Sequence, residues 1–208
     1  MSSGAGKKLP AMRNATDLRQ KVLQASLALI EEGGLDRLSM REVARKSGVS
    51  HQAPYYYFGD REAILAALAG EGFSRLGQSL ARADAGEPGD AVVAMGKAYV
   101  DFAIRHPAHF QVMFRADAVP LDRYPEARKQ EDEAFGKLVK EIDKTFASQP
   151  PEERRRIAVA AWAMVHGLAT LILEGSLARK VGVPKLQQKR LAHEVIATFA
   201  GLLKARGA

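Results

Sequence analysis

Residues 50–58 combine side chains that can hydrogen-bond to base edges or to phosphate. His51 and Gln52 would be the first side chains in reach of bases, and a glutamine amide can pair with adenine through two hydrogen bonds. The methyl group of Ala53 can contact a thymine methyl. Free backbone amides from Ser50 onward would suit a phosphate oxygen at the start of a helix. The segment therefore predicts a contact with DNA.

Four consecutive aromatic residues, Tyr55 to Phe58, complete this segment. Because consecutive residues of a helix point about 100° apart, the four rings cannot share one role. We expect Tyr55 and Tyr56 to face outward, with hydroxyls available to phosphate, and Tyr57 and Phe58 to face the core. Pro54 would stand at about the fourth helical position, where it removes one backbone donor.

The preceding residues supply a helix and a turn that would position this segment. Ser39 and Glu42 form the Ser-x-x-Glu pattern of a capping box, and Arg41 in the first turn could pair with guanine. We also count Ser39 among the DNA contacts. Gly48 permits a sharp turn, after which Ser50 would cap the short helix. The pattern predicts a helix-turn-helix whose second helix enters the major groove.

Basic residues on both sides could extend this surface. Asp60 would cap a long fourth helix, and Arg61 at its start could reach a neighbouring phosphate. Residues 1–21 contain five basic residues and one acid, Asp17. A loose basic arm over residues 1–13 could follow a phosphate backbone, and the alternative is a solvated tail.

Helical patterns cover nearly the whole chain, which predicts an all-α fold of about nine helices. We divide it into a flexible basic arm over residues 1–13, a helix-turn-helix domain over 14–60, and a helical ligand-binding and dimerisation domain over 61–208. In the third of these segments we expect Phe135 to face the core. Its main helices are expected at about 91–105, 126–147 and 152–174, and a last amphipathic helix follows.

The composition argues against several kinds of chemistry and location. The net charge of +7 favours polyanionic partners only weakly. The chain has no cysteine, which excludes disulfides, thiolate metal sites and cysteine nucleophiles. No apolar run of 18 residues occurs, and residues 1–13 lack an apolar signal core. We therefore expect a cytoplasmic protein without a membrane span.

The alternative function is an all-helical enzyme, or a small-molecule-binding protein with a basic surface and no specific DNA target. The chain contains no nucleophile elbow, Walker loop, His-Glu-x-x-His or dinucleotide fingerprint. His106 and His109 have a spacing that could place both on one helix face for a metal ion, but Pro107 lies between them and no third ligand is evident. We expect no metal, cofactor or catalytic residue.

The helix-turn-helix residues, taken as a set, resemble the TetR family of transcriptional regulators. The match extends over about residues 18–65. The matching stretches are Ser-Met-Arg-Glu-Val-Ala at 39–44, Ser-Gly-Val-Ser at 47–50, Pro-Tyr-Tyr-Tyr-Phe at 54–58 and Arg-Glu-Ala-Ile at 61–64. Pro54 stands where leucine is usual in the family, Gly59 where proline is common, and Arg61 where lysine is common.

This resemblance implies a ligand-responsive regulator. The family's fold would make the protein an all-helical homodimer, with two recognition helices about one helical turn of DNA apart or a modest multiple of it. The operator would be a near-palindromic duplex. A small molecule bound in the C-terminal domain would control DNA affinity, most commonly by releasing a repressor.

The second half resembles the family branch that carries a Trp-x-x-x-His-Gly signature, here at residues 162–167. Residues 102–110 are also similar to that branch. Ligand pockets are mostly apolar with a few polar groups, and this half is rich in aromatic and pliable side chains. The residues that we expect to line a pocket are Tyr99, Phe102, Phe110, Met113, Phe114, Trp162 and His166. The alternative is that these side chains simply fill the core.

The last two helices are candidates for the dimer interface. Residues 157–173 are apolar on more than one face, whereas a helix of a monomer usually needs one apolar stripe. The final helix should add a second stripe, and the pair could pack against a second copy of the chain. The alternative is a central core helix of a monomer. The stripe expected on the final helix consists of Leu191, Val195, Phe199 and Leu202.

Overall fold

The computed structural model describes residues 10–83, 90–115 and 117–207. Within these ranges the fold is all-α, as predicted, with nine α-helices and no strand. The helices are α1 (Pro10–Gly33), α2 (Met40–Ser47), α3 (Ala53–Phe58), α4 (Arg61–Ala81), α5 (Asp90–Arg105), α6 (Pro107–Met113), α7 (Pro125–Thr145), α8 (Pro151–Leu173) and α9 (Lys185–Gly207). Short 3₁₀ turns precede α2 and α7, and a π-helical turn precedes α9.

The start of α1 differs from the expected arm. The helix begins at Pro10, so the last four residues of the segment expected to be flexible, residues 10–13, are helical. Proline suits the first turn of a helix, because the N–H that it lacks would have no intrahelical partner there. Lys7 and Lys8 lie outside the described residues, so the arm that they would form stays a prediction.

The first three helices pack around one small core. Val22 and Leu29 of α1 are buried against Val43 and Ala44 of α2 in this N-terminal unit. Their positions follow the three- and four-residue spacings of an apolar helix stripe. Burial of these side chains holds α2 in place, and α2 and α1 in turn support α3.

α4 joins this unit to the rest of the chain. The Asp60 carboxylate accepts a hydrogen bond of 2.8 Å from the Ala63 amide, which confirms the predicted cap. Ile64 and Leu65 near its start and Phe73 further along are all buried. α4 contacts α1 and α3 at one end, and α5, α6 and α7 along its length. One hydrophobic cluster therefore runs through both halves of the molecule.

The expectation that Phe135 faces the core is wrong. Its side chain is 37% exposed, whereas Ala134 beside it is buried against α4. A helix can turn only one stripe toward its neighbour, and on α7 the small residue at position 134 allows the close approach to α4. The Phe135 ring packs at the edge of this interface, 5.5 Å from the Trp162 ring.

The apolar stripe expected on the last helix is also not the stripe that faces the core. Val195 is 36% exposed and Leu202 is 62% exposed. The buried stripe of α9 consists of Gln188, Ala192, Ile196 and Ala200. Gly96 of α5 lets α9 lie close to α5, because a Cβ added at Gly96 would lie 3.0 Å from the Ile196 side chain. Because α9 has apolar residues on two sides, the sequence pattern alone cannot show which one faces inward.

Among the described residues, α8 alone is long and apolar enough to cross a membrane, judged by length and composition. Core helices of other proteins have the same property. Its buried residues include Ile157, Ala161 and Ala169, whereas Val159 and Leu171 are exposed. The prediction that α8 is apolar on more than one face is therefore confirmed.

Candidate nucleic-acid interface and ligand cavity

The start of α2 forms half of the predicted capping box. The Ser39 hydroxyl accepts a hydrogen bond of 3.2 Å from the Glu42 amide. The Glu42 carboxylate does not return to the cap but binds the Arg45 guanidinium at 2.7 Å. This hydrogen bond lowers the pKa of Glu42, so the carboxylate stays ionised in the first turn, where the helix dipole favours negative charge. Arg41 remains exposed.

The turn after α2 has the predicted geometry, but the next helix begins later than predicted. Gly48 adopts a left-handed conformation with φ 68° and ψ 24°, which a residue without Cβ adopts without strain. α3 begins at Ala53, with Gln52 at the capping position and no capping bond from a side chain, so the predicted Ser50 cap is wrong. Pro54 is then the second helical residue, where a missing N–H costs no hydrogen bond.

The six-residue length of α3 also changes the electrostatic argument for residues 50–52. These residues form a turn ahead of the helix, and the Ser50 carbonyl accepts a hydrogen bond from the Ala53 amide at 3.0 Å. The backbone amides of residues 50–52 therefore lie in a turn ahead of α3 and not in the first turn of the helix, and their contact with phosphate stays a prediction. Their exposed side chains remain candidates for contact with bases and phosphates.

The candidate DNA-contact residues lie on the surface of this short segment. His51 and Gln52 are exposed, Ala53 is half-buried, and Tyr55 and Tyr56 are 48% and 83% exposed. The His51 ring stacks on the Tyr55 ring at 6.2 Å. α3 packs on α2, and three further members of the predicted set, Ser39, Arg41 and Ser50, are also exposed. The structure thus presents an uncovered polar and aromatic edge.

Tyr57 and Phe58 are both half-buried, as expected from their positions on the helix. Phe58 packs on the hydrophobic cluster, and the Arg19 guanidinium of α1 lies over its ring at 5.0 Å. This contact and the packing of Phe58 both help to hold the end of α3 against α1.

The predicted phosphate ligand Arg61 is engaged inside the protein. Its Nε donates to the Leu38 carbonyl at 2.9 Å, and one Nη donates to the Leu35 carbonyl at 2.8 Å. These carbonyls lie in the connection between α1 and α2. The arrangement favours a role in fastening α4 to that connection, and a phosphate contact would have to use the remaining guanidinium donors.

A cavity of about 290 Å³ lies between α4, α5, α7, α8 and α9. Three of the seven predicted pocket residues, Tyr99, Phe114 and Trp162, line it. Phe102 and Met113 are buried away from it. Residues that the prediction missed, all at the cavity wall, include Phe73, Met95, Phe135, Met164 and Phe199.

His166 and Phe110 form a layer behind Tyr99. The Tyr99 hydroxyl lies 3.0 Å from Nδ1 of His166, and the Phe110 ring stacks on the imidazole at 5.4 Å. Burial lowers the pKa of His166 and raises the pKa of Tyr99. Both groups are therefore neutral near pH 7, and one hydrogen bond joins the phenol to the imidazole. The Tyr99–His166 hydrogen bond is thus a polar contact in a layer of otherwise apolar side chains.

Charged residues line the cavity only on the α7 side, within the described part of the chain. The Arg128 guanidinium lies 3.6 Å from the Glu131 carboxylate and 3.5 Å from that of Asp132, and it also binds Asp122. Burial raises the pKa of Glu131. Sequence reasoning missed these residues, because a run of alternating charges on a helix is also the pattern of a solvated face.

The two histidines considered for a metal site do not form one. The rings of His106 and His109 are 6.0 Å apart, and His109 Nε2 instead lies 3.9 Å from a Glu71 carboxylate oxygen. No group of three potential metal ligands occurs among the residues that the structure describes.

Two family models match the chain. Residues 22–68 match bacterial regulatory proteins of the tetR family, and residues 92–202 match the tetracyclin repressor-like C-terminal domain. The first range contains the helix-turn-helix and the second contains most of the cavity wall. Neither description specifies the Trp-x-x-x-His-Gly branch.

Individual proteins and structures show the same relationship. The chain is 30% identical over 166 residues to the HTH-type transcriptional regulator BetI of Rhizobium meliloti (strain 1021), covering 72% of this chain and 75% of that protein. A solved structure of a protein with unknown function from Rhodococcus sp. RHA1 shares 32% identity and a TM-score of 0.71, covering 86% of this chain and 93% of the other. A tetR-family regulatory protein from Rhodococcus RHA1, at 16% identity and a TM-score of 0.66, covers 86% and 95% and shows likeness of fold alone.

The matched families and the BetI relative are regulators, which excludes the enzyme alternative. Three features of the structure agree with that assignment: the exposed polar and aromatic edge of α3, the left-handed turn before it, and the apolar cavity in the second half. The chain belongs to the TetR family of bacterial transcriptional regulators.

Proposed function

We propose that this regulator is a cytoplasmic repressor that binds a near-palindromic operator as a homodimer and leaves it when a small molecule enters the cavity. The observation that carries the proposal is that one helix, α4, contributes to both sites. Arg61 at its first residue holds the connection that leads into α2, and Phe73 and Leu80 further along line the cavity. A ligand that tilts α4 would therefore move the exposed edge of α3.

The mechanism requires the ligand to prefer one of two positions of α4. From Arg61 to Leu80 the helix is about 28 Å long at 1.5 Å per residue, so a small tilt at the cavity gives a displacement at its first turn. A ligand can shift the operator equilibrium only by its differential affinity for the two positions. Couplings of about 1–3 kcal/mol are typical of such regulators.

We call the exposed edge formed by α3 and the residues just before it, with the start of α2, the reading edge. Its side chains would make different contacts with DNA. Gln52 and Arg41 would contact bases, His51 and Ala53 would meet the adjacent base edges, and Ser39, Ser50, Tyr55 and Tyr56 would hold the backbone. Exposure of these side chains supports the assignment, with the half-buried Ala53 offering only its methyl group.

The proposed dimer interface uses α8 and α9. Exposed apolar side chains are concentrated on these two helices, and such surfaces commonly mark an interface. Regulators of the family act as dimers on operators, which agrees with this surface. The two copies of α3 would then read half-sites one helical turn apart or a modest multiple of it. The exposed residues are Val159, Leu171, Leu173, Leu186, Val195 and Leu202.

We also propose membership of the Trp-x-x-x-His-Gly branch. Trp162 and His166 lie one helical turn apart on α8, with ring centres 6.2 Å from each other, and both rings lie near the cavity residue Tyr99. Trp162 would thus line the cavity, and His166 would support the same wall from behind through its hydrogen bond to Tyr99.

In vitro selection of duplexes bound by the purified protein, followed by footprinting, tests the operator proposal. We expect two inverted half-sites. Gln52→Ala should cost about 1–3 kcal/mol on the selected duplex and relax the base preference, with little change on random DNA. Gln187→Ala, at an exposed glutamine of α9, serves as the matched control. Equal losses on selected and random duplexes would contradict base reading by Gln52.

Sedimentation tests the dimer proposal. The wild-type protein should sediment at twice the chain mass of 22.6 kDa. Leu186→Glu with Leu202→Glu should shift it toward the monomer, because two charges would enter the apolar interface. Lys140→Glu, on the exposed side of α7, should leave the mass unchanged. A monomeric wild-type protein would contradict the proposal.

A further inference from the structure

The walls of the cavity suit a particular class of ligand. We propose that the cavity binds a hydrophobic organic cation, with the apolar body between the aromatic rings and the positive charge against Glu131. This inference rests on the ligand-controlled function proposed above and adds to it the charge and the polarity of the ligand.

The body of the ligand follows from the lining. The rings of Phe73, Tyr99, Phe114, Phe135 and Trp162 all face the cavity, and aliphatic side chains fill most of the remaining wall. The Tyr99 hydroxyl is already hydrogen-bonded to His166, so only part of its hydrogen-bonding capacity is left for a polar ligand. A mostly apolar body would therefore gain the most from entering.

The charge of the ligand follows from the α7 wall. Glu131 and Asp132 line the cavity with Arg128 as the sole lining cation among the described residues. Arg128 binds the further carboxylate of Asp122, so this group of four residues holds three acids against one base. The excess negative charge would repel an anion and would be offset by a cation.

Glu131 is the carboxylate best placed to receive that cation. Its side chain is 36% exposed, compared with 68% for Asp132 and 89% for Asp122. The Arg128 nitrogen lies 3.6 Å from its nearer oxygen, which is longer than a hydrogen bond. Burial raises the pKa of Glu131, because the ionised carboxylate has lost part of its hydration. A ligand cation beside the Glu131 carboxylate would offset the hydration that this carboxylate loses on burial.

The aromatic walls add to this selectivity. The faces of Trp162 and Phe135, whose centres are 5.5 Å apart, carry the negative part of the ring quadrupole. A cation within about 6 Å of such a face is attracted to it, most strongly when water is excluded. Neutral compounds of the same shape would gain from apolar contact with the rings but would lack the electrostatic attraction to Glu131 and to the ring faces.

The chain contains one tryptophan, Trp162, so its fluorescence reports on the cavity directly. We would titrate the full-length protein with octyltrimethylammonium, 1-octanol and octanoate, which share an eight-carbon chain and differ in charge, below their micellar concentrations. The ammonium should bind about tenfold more tightly than the alcohol, and octanoate should bind least tightly.

Two variants locate the charge. Glu131→Gln keeps the size of the side chain and should reduce the affinity for the ammonium about tenfold while leaving the alcohol unchanged. Glu133→Gln, at an exposed acid of α7 that does not line the cavity, should change neither affinity. Equal affinities for ammonium and alcohol, tighter binding of octanoate, no binding of the ammonium, or an unaltered preference in Glu131→Gln would each overturn the inference.

The operator assay separates this inference from the proposed function. If the neutral alcohol binds at Trp162 and releases the operator as effectively as the ammonium, ligand control stands and the charge inference falls. If the ammonium binds as expected but leaves operator affinity unchanged, the cavity has the proposed selectivity and the control of DNA binding by that ligand is wrong.

Discussion

The Tyr124 hydroxyl donates a hydrogen bond of 3.0 Å to the Glu62 carboxylate and so joins the residue before α7 to the first turn of α4. Glu62 follows Arg61, which binds the connection leading into α2. α7 also carries Glu131 and Phe135 of the cavity wall. The first turn of α4 is therefore bonded on one side to the N-terminal unit and on the other to the helix that forms the charged wall.

Removing the Tyr124 hydroxyl should loosen this junction. Desolvation, followed by the adjacent Glu62 carboxylate, raises the pKa of Tyr124 to about 12, so the phenol remains a donor at neutral pH. Tyr124→Phe should cost about 0.5–1.5 kcal/mol of unfolding free energy and accelerate amide exchange in the first turn of α4. Tyr56→Phe, whose side chain is 83% exposed, is the control and should change neither quantity. Unaltered exchange in Tyr124→Phe would show that the bond does not hold α4.

Arg61→Ala distinguishes the fastening role seen in the structure from the phosphate contact expected from the sequence. Loss of two hydrogen bonds to backbone carbonyls should lower the unfolding free energy by about 1–3 kcal/mol, because the guanidinium is half-buried and the carbonyls lose their partner. Operator affinity should fall through misplacement of α2 and α3, while the slope of its salt dependence stays constant. A slope reduced by about one, with unchanged thermal unfolding, would instead identify a phosphate ligand.

The features that could be predicted from the sequence are those determined by neighbouring residues. The Asp60 cap and the left-handed Gly48 turn depend on groups within a few positions, and both are confirmed. The Ser50 cap failed because Pro54 competes with it. A proline fits best in the first turn of a helix, so its presence moved the helix start to Ala53.

The predictions that failed concern features that depend on residues far away in the sequence. The carbonyls that bind Arg61 lie 23 and 26 residues earlier in the chain, and no local pattern identifies them. The stripe of α9 that faces the core depends on the close approach of Ile196 to Gly96 of α5. The charges at the cavity wall become part of a site only because α7 packs on α4, which leaves Glu131 facing the space beside Trp162.

Gly72→Ala tests the packing between α4 and α6. A Cβ at this position would lie 2.5 Å from the Met113 sulfur and 3.3 Å from the His109 Cβ, and both neighbours are buried. Overpacking costs about 1–3 kcal/mol, which exceeds the helix-propensity gain of up to about 1 kcal/mol. Gly136→Ala on α7 should show only the gain in helix propensity, because a Cβ added there would meet no neighbouring side chain or other helix within 4 Å. Chemical denaturation measures both variants, and a stabilised Gly72→Ala would mean that the Met113 side chain can move aside.

Acid should destabilise the protein partly through His166. Burial lowers its pKa below the ordinary value of 6.5, so the folded state favours the neutral imidazole, which is hydrogen-bonded to the Tyr99 hydroxyl. Between that value and the lower folded-state pKa, the unfolded chain binds a proton that the folded chain does not, and the unfolding free energy therefore falls as pH decreases through this window. The stability contributed by the neutral ring is fully present only above pH 6.5.

His166→Gln should make the pH dependence shallower below pH 6.5. Its unfolding free energy at pH 8, where the imidazole is neutral in both states, gives the packing cost of the substitution and serves as the internal control. The difference between variant and wild type should then shrink as pH is lowered to 5.5, because only the wild type loses stability to protonation of this ring. Two other groups will retain part of the acid sensitivity in both proteins: His106, whose pKa is also lowered by burial, and Glu71, whose pKa is lowered by the nearby His109 imidazole. A difference that stays constant from pH 8 to 5.5 would show that His166 is protonated equally easily in both states.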